Sequence, residues 1–166
     1  MAISVAHDPD FRYLVGTFFG AWNLIECTVD FGIGKLLKTT HEQTHLLTAG
    51  MQMGRKITLL RSLAARGPDS KNKENILAAL KVLQGEMKRD VIAHSYLAWD
   101  REKVTFIERV PNGKFTAIEH PFTLASFHAH VRTLTNNGGK LQAALEMEDA
   151  DFESFAKAAL KINKSE

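Results

Sequence analysis

The chain has a single cysteine, Cys27. It cannot close an intramolecular disulfide, so the fold must hold without one, and such cysteine usage suits a reducing compartment. The start, MAISVAHDPDF, lacks a basic region followed by a long apolar run, so it does not read as a secretory signal. Every apolar run is far shorter than the roughly 20 residues that cross a bilayer, which argues for a cytoplasmic protein and against a membrane partner. An excess of one charge is missing too: 21 basic residues face 19 acidic ones, for a net charge of +2. So even a balance neither demands nor excludes nucleic acid, and any RNA contact has to be a local patch. Internal repeats and low-complexity tracts are also absent. A chain of 166 residues can bury roughly 70% of its unfolded surface, enough for one domain with its own core.

What is present is mostly helical periodicity. Asp8-Pro9-Asp10 can cap and open a helix. Leu14, Phe18, Trp22, Ile25, Val29, Ile33 and Leu36 then continue an apolar face to about Leu37. Gly16, Gly20, Gly32 and Gly34 lie inside this helix, where they suit close helix packing or a protomer interface. Glu26 sits within the apolar run, either as an exposed glutamate or as a buried partner for a polar cluster near residue 90. Thr40 to Gln43 matches a capping box, and the spacing predicts one helix from Thr40 to Ala65. Arg66-Gly67-Pro68 ends it, and a third helix is predicted from Lys73 to about Ala93. The period then changes. Val104–Val110 and Phe115–Glu119 flank Asn112-Gly113, a strong hairpin signal, giving an inserted β-hairpin over 103–119. A fourth helix starts at Thr123 and should kink or break at Asn136-Asn137-Gly138-Gly139. A last helix is capped by Asp149-Ala150-Asp151 and spans 149–163. The fold class is therefore mainly all-α: an antiparallel bundle of four or five helices with one inserted hairpin and an appended C-terminal helix.

Two stretches could carry chemistry. His41-Glu42-Gln43-Thr44-His45 reads H-E-x-x-H, which on a helix puts two imidazoles on one face, as a zinc hydrolase needs. A catalytic zinc needs a third protein ligand, but Thr48, Met51, Ala64 and Ala65 stand where the continuations would supply the glycine, histidine or glutamate. The capping box accounts for the same residues as an exposed helix start. On that reading no metal is held, and both histidines face solvent.

The second stretch is Lys88-Arg89-Asp90-Val91-Ile92-Ala93-His94-Ser95-Tyr96. Asp90 and His94 are four apart, one helical face, so the carboxylate can orient the imidazole. Arg89 and His94 are five apart, about 140° around an ideal helix, and converge only if the helix ends near His94 or a second copy completes the site. The plain alternative is a helix C-terminus whose basic side chains favour the dipole.

Arg89-Asp90-x-x-x-His94 resembles the signature of the HEPN superfamily of helical domains. The order of elements from Asp8 to about Met147 is similar to that family's as well, including Trp22 and Glu26 on the first helix. Arg89, His94 and Tyr96 also match the extended motif in the toxin half of HEPN–MNT pairs. The resemblance implies one HEPN-like domain over 1–166 that cleaves RNA without metal or cofactor, at a composite site in a homodimer. Arg89 would bind the scissile phosphate, His94 would be general base or acid, and Asp90 would orient His94. Lys88, Lys81, Arg55 and Arg61 could follow the RNA backbone, Glu26 would support the cluster, and Tyr96 would be the residue modified by an antitoxin partner. Within the same family, a non-catalytic module binding nucleotide, RNA or a partner protein is the alternative. A zinc hydrolase through His41 and His45 comes third.

Overall fold

The computed structural model describes residues 8–69, 71–86, 88–111 and 115–162. The protein is mainly helical, with a small three-stranded antiparallel sheet. The first helix, α1 (Pro9–Leu37), starts as its sequence suggests: the Asp8 carboxylate accepts the Asp10 N–H at 2.8 Å. Thr40 caps α2 (His41–Thr48) with the reciprocal capping box. Its hydroxyl accepts the Gln43 N–H at 3.2 Å, and the Gln43 side chain accepts the Thr40 N–H at 3.0 Å.

The single helix predicted from Thr40 to Ala65 is in fact two. α2 stops at Thr48, and α3 (Met53–Arg66) begins beyond a break in which Gly50 takes φ +73°. Glycine enters that left-handed region at little cost, so the chain turns there while the apolar spacing carries on. The third predicted helix also divides. α4 (Lys71–Glu86) ends early, Lys88 sits at φ +38°, ψ +33°, and a separate short helix, α5 (Arg89–His94), follows. A left-handed residue cannot continue a right-handed helix, and holding a lysine there costs on the order of 1–2 kcal/mol.

The sheet has one strand more than the predicted hairpin. β1 (Tyr96–Trp99), β2 (Lys103–Pro111) and β3 (Phe115–Thr123) form an antiparallel meander in that order. The Asp100 carboxylate turns β1 into β2 by accepting the N–H groups of Glu102 at 2.8 Å and Lys103 at 2.9 Å. Those bonds also hold its carboxyl below the ordinary carboxylate range. The Asn112-Gly113 turn lies outside the described residues; the strands around it pair Pro111 with Phe115, Phe106 with His120 and Val104 with Phe122. Thr123 and Ser126 then cap each other, and α6 (Leu124–Ala144) is one helix straight through Asn136-Asn137-Gly138-Gly139, where the sequence predicts a kink or break. A Cβ on Gly138 would come within 2.8 Å of Ile25 Cγ1, so this glycine serves close packing rather than a break. α7 (Asp149–Ile162) follows, and the Asp151 carboxylate accepts the Glu148 N–H at its start.

Contacts divide the chain into two compact units, and α1 and α6 contribute to both. The first comprises residues 8–22 and 88–134: the start of α1, α5, the sheet and the first part of α6. Its core is aromatic. Phe127, fully buried, lies 5.3 Å from Phe11, 5.3 Å from Phe122, 6.1 Å from Phe106 and 6.2 Å from Phe18 between ring centroids. Tilted, stacked and edge-on pairs of this kind add to the burial of large apolar area. The second unit comprises residues 23–86 and 135–162, with α2, α3, α4, α7 and the remainders of α1 and α6. Val29, Ile33, Leu60, Leu80, Leu141 and Phe155 are among its buried core residues.

The glycines of α1 separate into two kinds. A Cβ on Gly34 would lie 2.2 Å from Thr44 Oγ1 and 3.1 Å from Thr44 Cβ, whereas nothing lies within 4 Å of one on Gly16 or Gly20. Thr44 cannot turn aside freely, because its hydroxyl donates to the Thr40 carbonyl at 2.8 Å and lies 2.9 Å from Thr39 Oγ1. Gly34→Ala should therefore lower the stability in urea by about 2 kcal/mol, overpacking outweighing the gain in helix propensity. Gly20→Ala should raise it by about 0.5–1 kcal/mol. Equal effects at the two positions would contradict this packing.

Candidate functional site

α5 carries Arg89, Asp90 and His94, and β1 opens on Tyr96. Ile92, buried, anchors the six-residue helix, and the polar residues on either side of it reach outward. His94 is exposed at its last position. Asp90 does not bond to His94. Its Oδ1 accepts from Arg89 Nη1 at 3.2 Å, on a surface where the Asp90 side chain is 85% exposed. An exposed pair of this kind adds little stability, so the guanidinium is oriented without being tied down.

Tyr96 opens β1, opposite Ile107, and is exposed. The Arg109 guanidinium, two residues on from that partner, lies over its ring at 4.0 Å. Lys88 reaches His120 on β3. Its Nζ lies 3.0 Å from His120 Nδ1, and His120 Nε2 lies 3.1 Å from Glu108 Oε2. An ammonium can only donate and a carboxylate can only accept, so Nδ1 is the acceptor and Nε2 carries the proton. Sequence reasoning names none of Arg109, His120 and Glu108. The signal for them is sheet register: Phe106 opposite His120 and Glu108 opposite Ile118 put Glu108 and His120 diagonally on one face.

Glu26 takes a different partner from the cluster near residue 90 that the sequence offers it. Lys56 Nζ donates to Glu26 Oε1 at 2.9 Å and to Asp30 Oδ2 at 2.8 Å, with the Lys56 side chain only 7% exposed. Burial works against the ammonium, but the hydrogen bonds it donates to Asp30 and Glu26 outweigh this and hold Lys56 above its ordinary range. Burial pushes the Asp30 carboxyl up, against the pull of Lys56. Burial, with Asp30 beside it, also pushes the Cys27 thiol up to about 11. At neutral pH that sulfur is a thiol, not the thiolate a nucleophile requires.

The two histidines of H-E-x-x-H do not face solvent as their sequence predicts. Both are half-buried against α7. The His45 ring lies 4.0 Å from that of Phe155, and its Nε2 donates to the Phe155 carbonyl at 2.8 Å. His41 packs edge-on to Phe155 at 5.3 Å, with Nδ1 3.4 Å from Ser154 Oγ. Aromatic packing and a carbonyl bond account for both rings. Among the described residues, no group of three His, Cys, Asp or Glu side chains could hold a metal ion.

Of the basic residues considered for an RNA path, Lys88 is bonded to His120 and Arg61 donates to Gln84 at 3.0 Å. In the first unit a groove between α1 and α6 is lined by Tyr13, Leu14, Leu124 and His128. Three further cavities belong to the second unit, and neither Arg89 nor His94 lines any of the four. Among the described residues no helix is long and apolar enough to cross a membrane. No family model, no curated protein and no solved structure matches the chain.

Proposed function

We propose that this chain is a metal-independent endoribonuclease of the HEPN type, acting as a homodimer in the cytoplasm. The observation that carries the reading is the placement of Arg89 and His94 on one short helix, with neither side chain spent on the core. A guanidinium has five donors in a planar fork, and one bond to Asp90 leaves enough of them to grip a phosphodiester and its developing charge. His94 is exposed at the end of the same helix, and an imidazole there is open to a proton transfer with bound RNA. The attacking group is the RNA's own 2′-hydroxyl, which gives a cyclic phosphate end. Asp90 acts on Arg89 rather than on His94. Lys88 and Tyr96 extend the RNA-binding surface, and Tyr96, exposed beside Arg109, is also where an antitoxin partner would act. A second copy supplies the opposite wall.

One observation favours the alternative, a non-catalytic HEPN module that binds nucleotide, RNA or a partner protein: among the described residues, neither motif residue lines any of these four cavities. The test is direct. Purified chain, incubated with mixed single-stranded RNA in the presence and absence of a chelator, should release fragments ending in cyclic phosphate at equal rates. Intact RNA at every pH, in the face of measurable RNA binding, would reject cleavage in favour of the binding module.

A further inference from the structure

The linked side chains of Lys88, His120 and Glu108 form an arrangement that the cleavage reading does not use. Glu108 holds the proton of His120 on Nε2 at 3.1 Å, and Lys88 covers Nδ1 at 3.0 Å. The imidazole is 13% exposed, while Lys88 is exposed and free to leave. A base oriented and charge-compensated by a carboxylate is the arrangement by which a histidine takes a proton from a hydroxyl. Two features tie it to the motif. Lys88 directly precedes Arg89, and its left-handed backbone is a strained position of the kind that clusters at functional sites. An ammonium is also a ready phosphate ligand, so a phosphate beside Arg89 competes with His120 for Lys88.

We propose that His120 is the general base of the proposed cleavage, uncovered when an RNA phosphate draws Lys88 away. This inference rests on the cleavage reading and assigns its proton transfers. The 2′-hydroxyl gives its proton to His120 Nδ1 as the O2′–P bond forms. The P–O5′ bond breaks, and protonated His94 gives its proton to the departing 5′-oxygen. The products are a 2′,3′-cyclic phosphate and a 5′-hydroxyl, with no oxidant or further reactant. Glu108 accepts from Nε2 throughout and balances the imidazolium, so it is a positioning residue. The groups facing the His120 ring nitrogens are Lys88 and Glu108.

Two measurements on the full chain test this. In nitrogen-15 NMR of the imidazoles, His120 should show a bare Nδ1 and a protonated Nε2. Uncleavable 2′-O-methyl RNA should change the Nδ1 signal in the parent, but much less in Lys88→Met, where no ammonium is displaced. In cleavage assays, His120→Ala should lose at least about 100-fold in rate and recover part of it with added imidazole, which no structural role would produce. Glu108→Gln should shift the acidic limb of the pH–rate profile. If the parent cleaves RNA and His120→Ala cleaves equally well with an unchanged profile, the inference fails and the cleavage reading stands. If the parent leaves RNA intact at every pH, both fail. A His120 proton found on Nδ1 would overturn the inference by itself.

Discussion

Replacing Lys56 with methionine should cost the protein about 3–5 kcal/mol, because it strands two carboxylates that a buried ammonium now holds together. Lys56 is 7% exposed, and its partners, Asp30 and Glu26, are bonded at 2.8 and 2.9 Å. Glu26, 34% exposed, can turn to water, but Asp30, 12% exposed, cannot. The expected fall in Tm is roughly 10 °C for a chain of this size. Adding Asp30→Asn to Lys56→Met should recover part of the loss, since the stranded charge is then gone. The effect should depend on pH with a definite sign. Burial already raises the Asp30 carboxyl above 3.8, so the folded state takes up that proton more readily than the unfolded chain. Without Lys56 the shift grows, so the deficit of the variant should shrink on acidification and be full at neutral pH. At the alkaline end the parent loses its advantage. Lys56 is raised above 10.5, so its contribution is complete below that pH and disappears as the pH climbs through the folded value. A Lys56→Met melting point within 2 °C of the parent at pH 7, measured by calorimetry, would show that the triad is not holding these helices together.

Much of the helical order can be read from the sequence because it rests on local chemistry. Asp8, Thr40 and Thr123 each cap a helix by bonding to a residue two or three positions away. The breaks are less readable. Gly50 and Lys88 both take positive φ, yet apolar spacing runs past each of them, and spacing reports which face is buried rather than whether the backbone is continuous. Gly138 misleads in the other direction. It suggests a break and instead lets Ile25 approach, a tertiary contact that no local pattern contains. Lys56 follows Arg55 and reads as an ordinary charged residue; only the packing of α3 against α1 places its ammonium between Glu26 and Asp30. His120 is hidden by register. A two-residue turn at Asn112-Gly113 would pair Pro111 with Lys114, but the structure pairs Pro111 with Phe115. That one-residue difference decides which face of the sheet His120 occupies, and so whether it meets Glu108.

Removing the imidazole of His94 should abolish RNA cleavage and leave the fold nearly as stable as before. A positioned acid–base group contributes about 10²–10⁴ in rate, and exposed substitutions away from packed features stay within about 0.5 kcal/mol. His94 is exposed and, among the described residues, has no hydrogen bond to Asp90. Arg89→Ala should lose about 10²–10³, the cost of deleting one donor to a developing charge. Its stability cost should also be small, because the pair with Asp90 sits at the surface. The two effects have to be measured together, as cleavage rate and Tm on the same preparations. The plain alternative is that these side chains merely finish α5, with the His94 imidazole favouring the negative end of a helix. It predicts the reverse pattern: a parent that leaves RNA intact, and variants that melt lower. The binding-module alternative predicts a third pattern, unchanged Tm and no cleavage in any version, with RNA or partner affinity reduced in both variants. Loss of cleavage at constant Tm is the result that the nuclease reading alone produces.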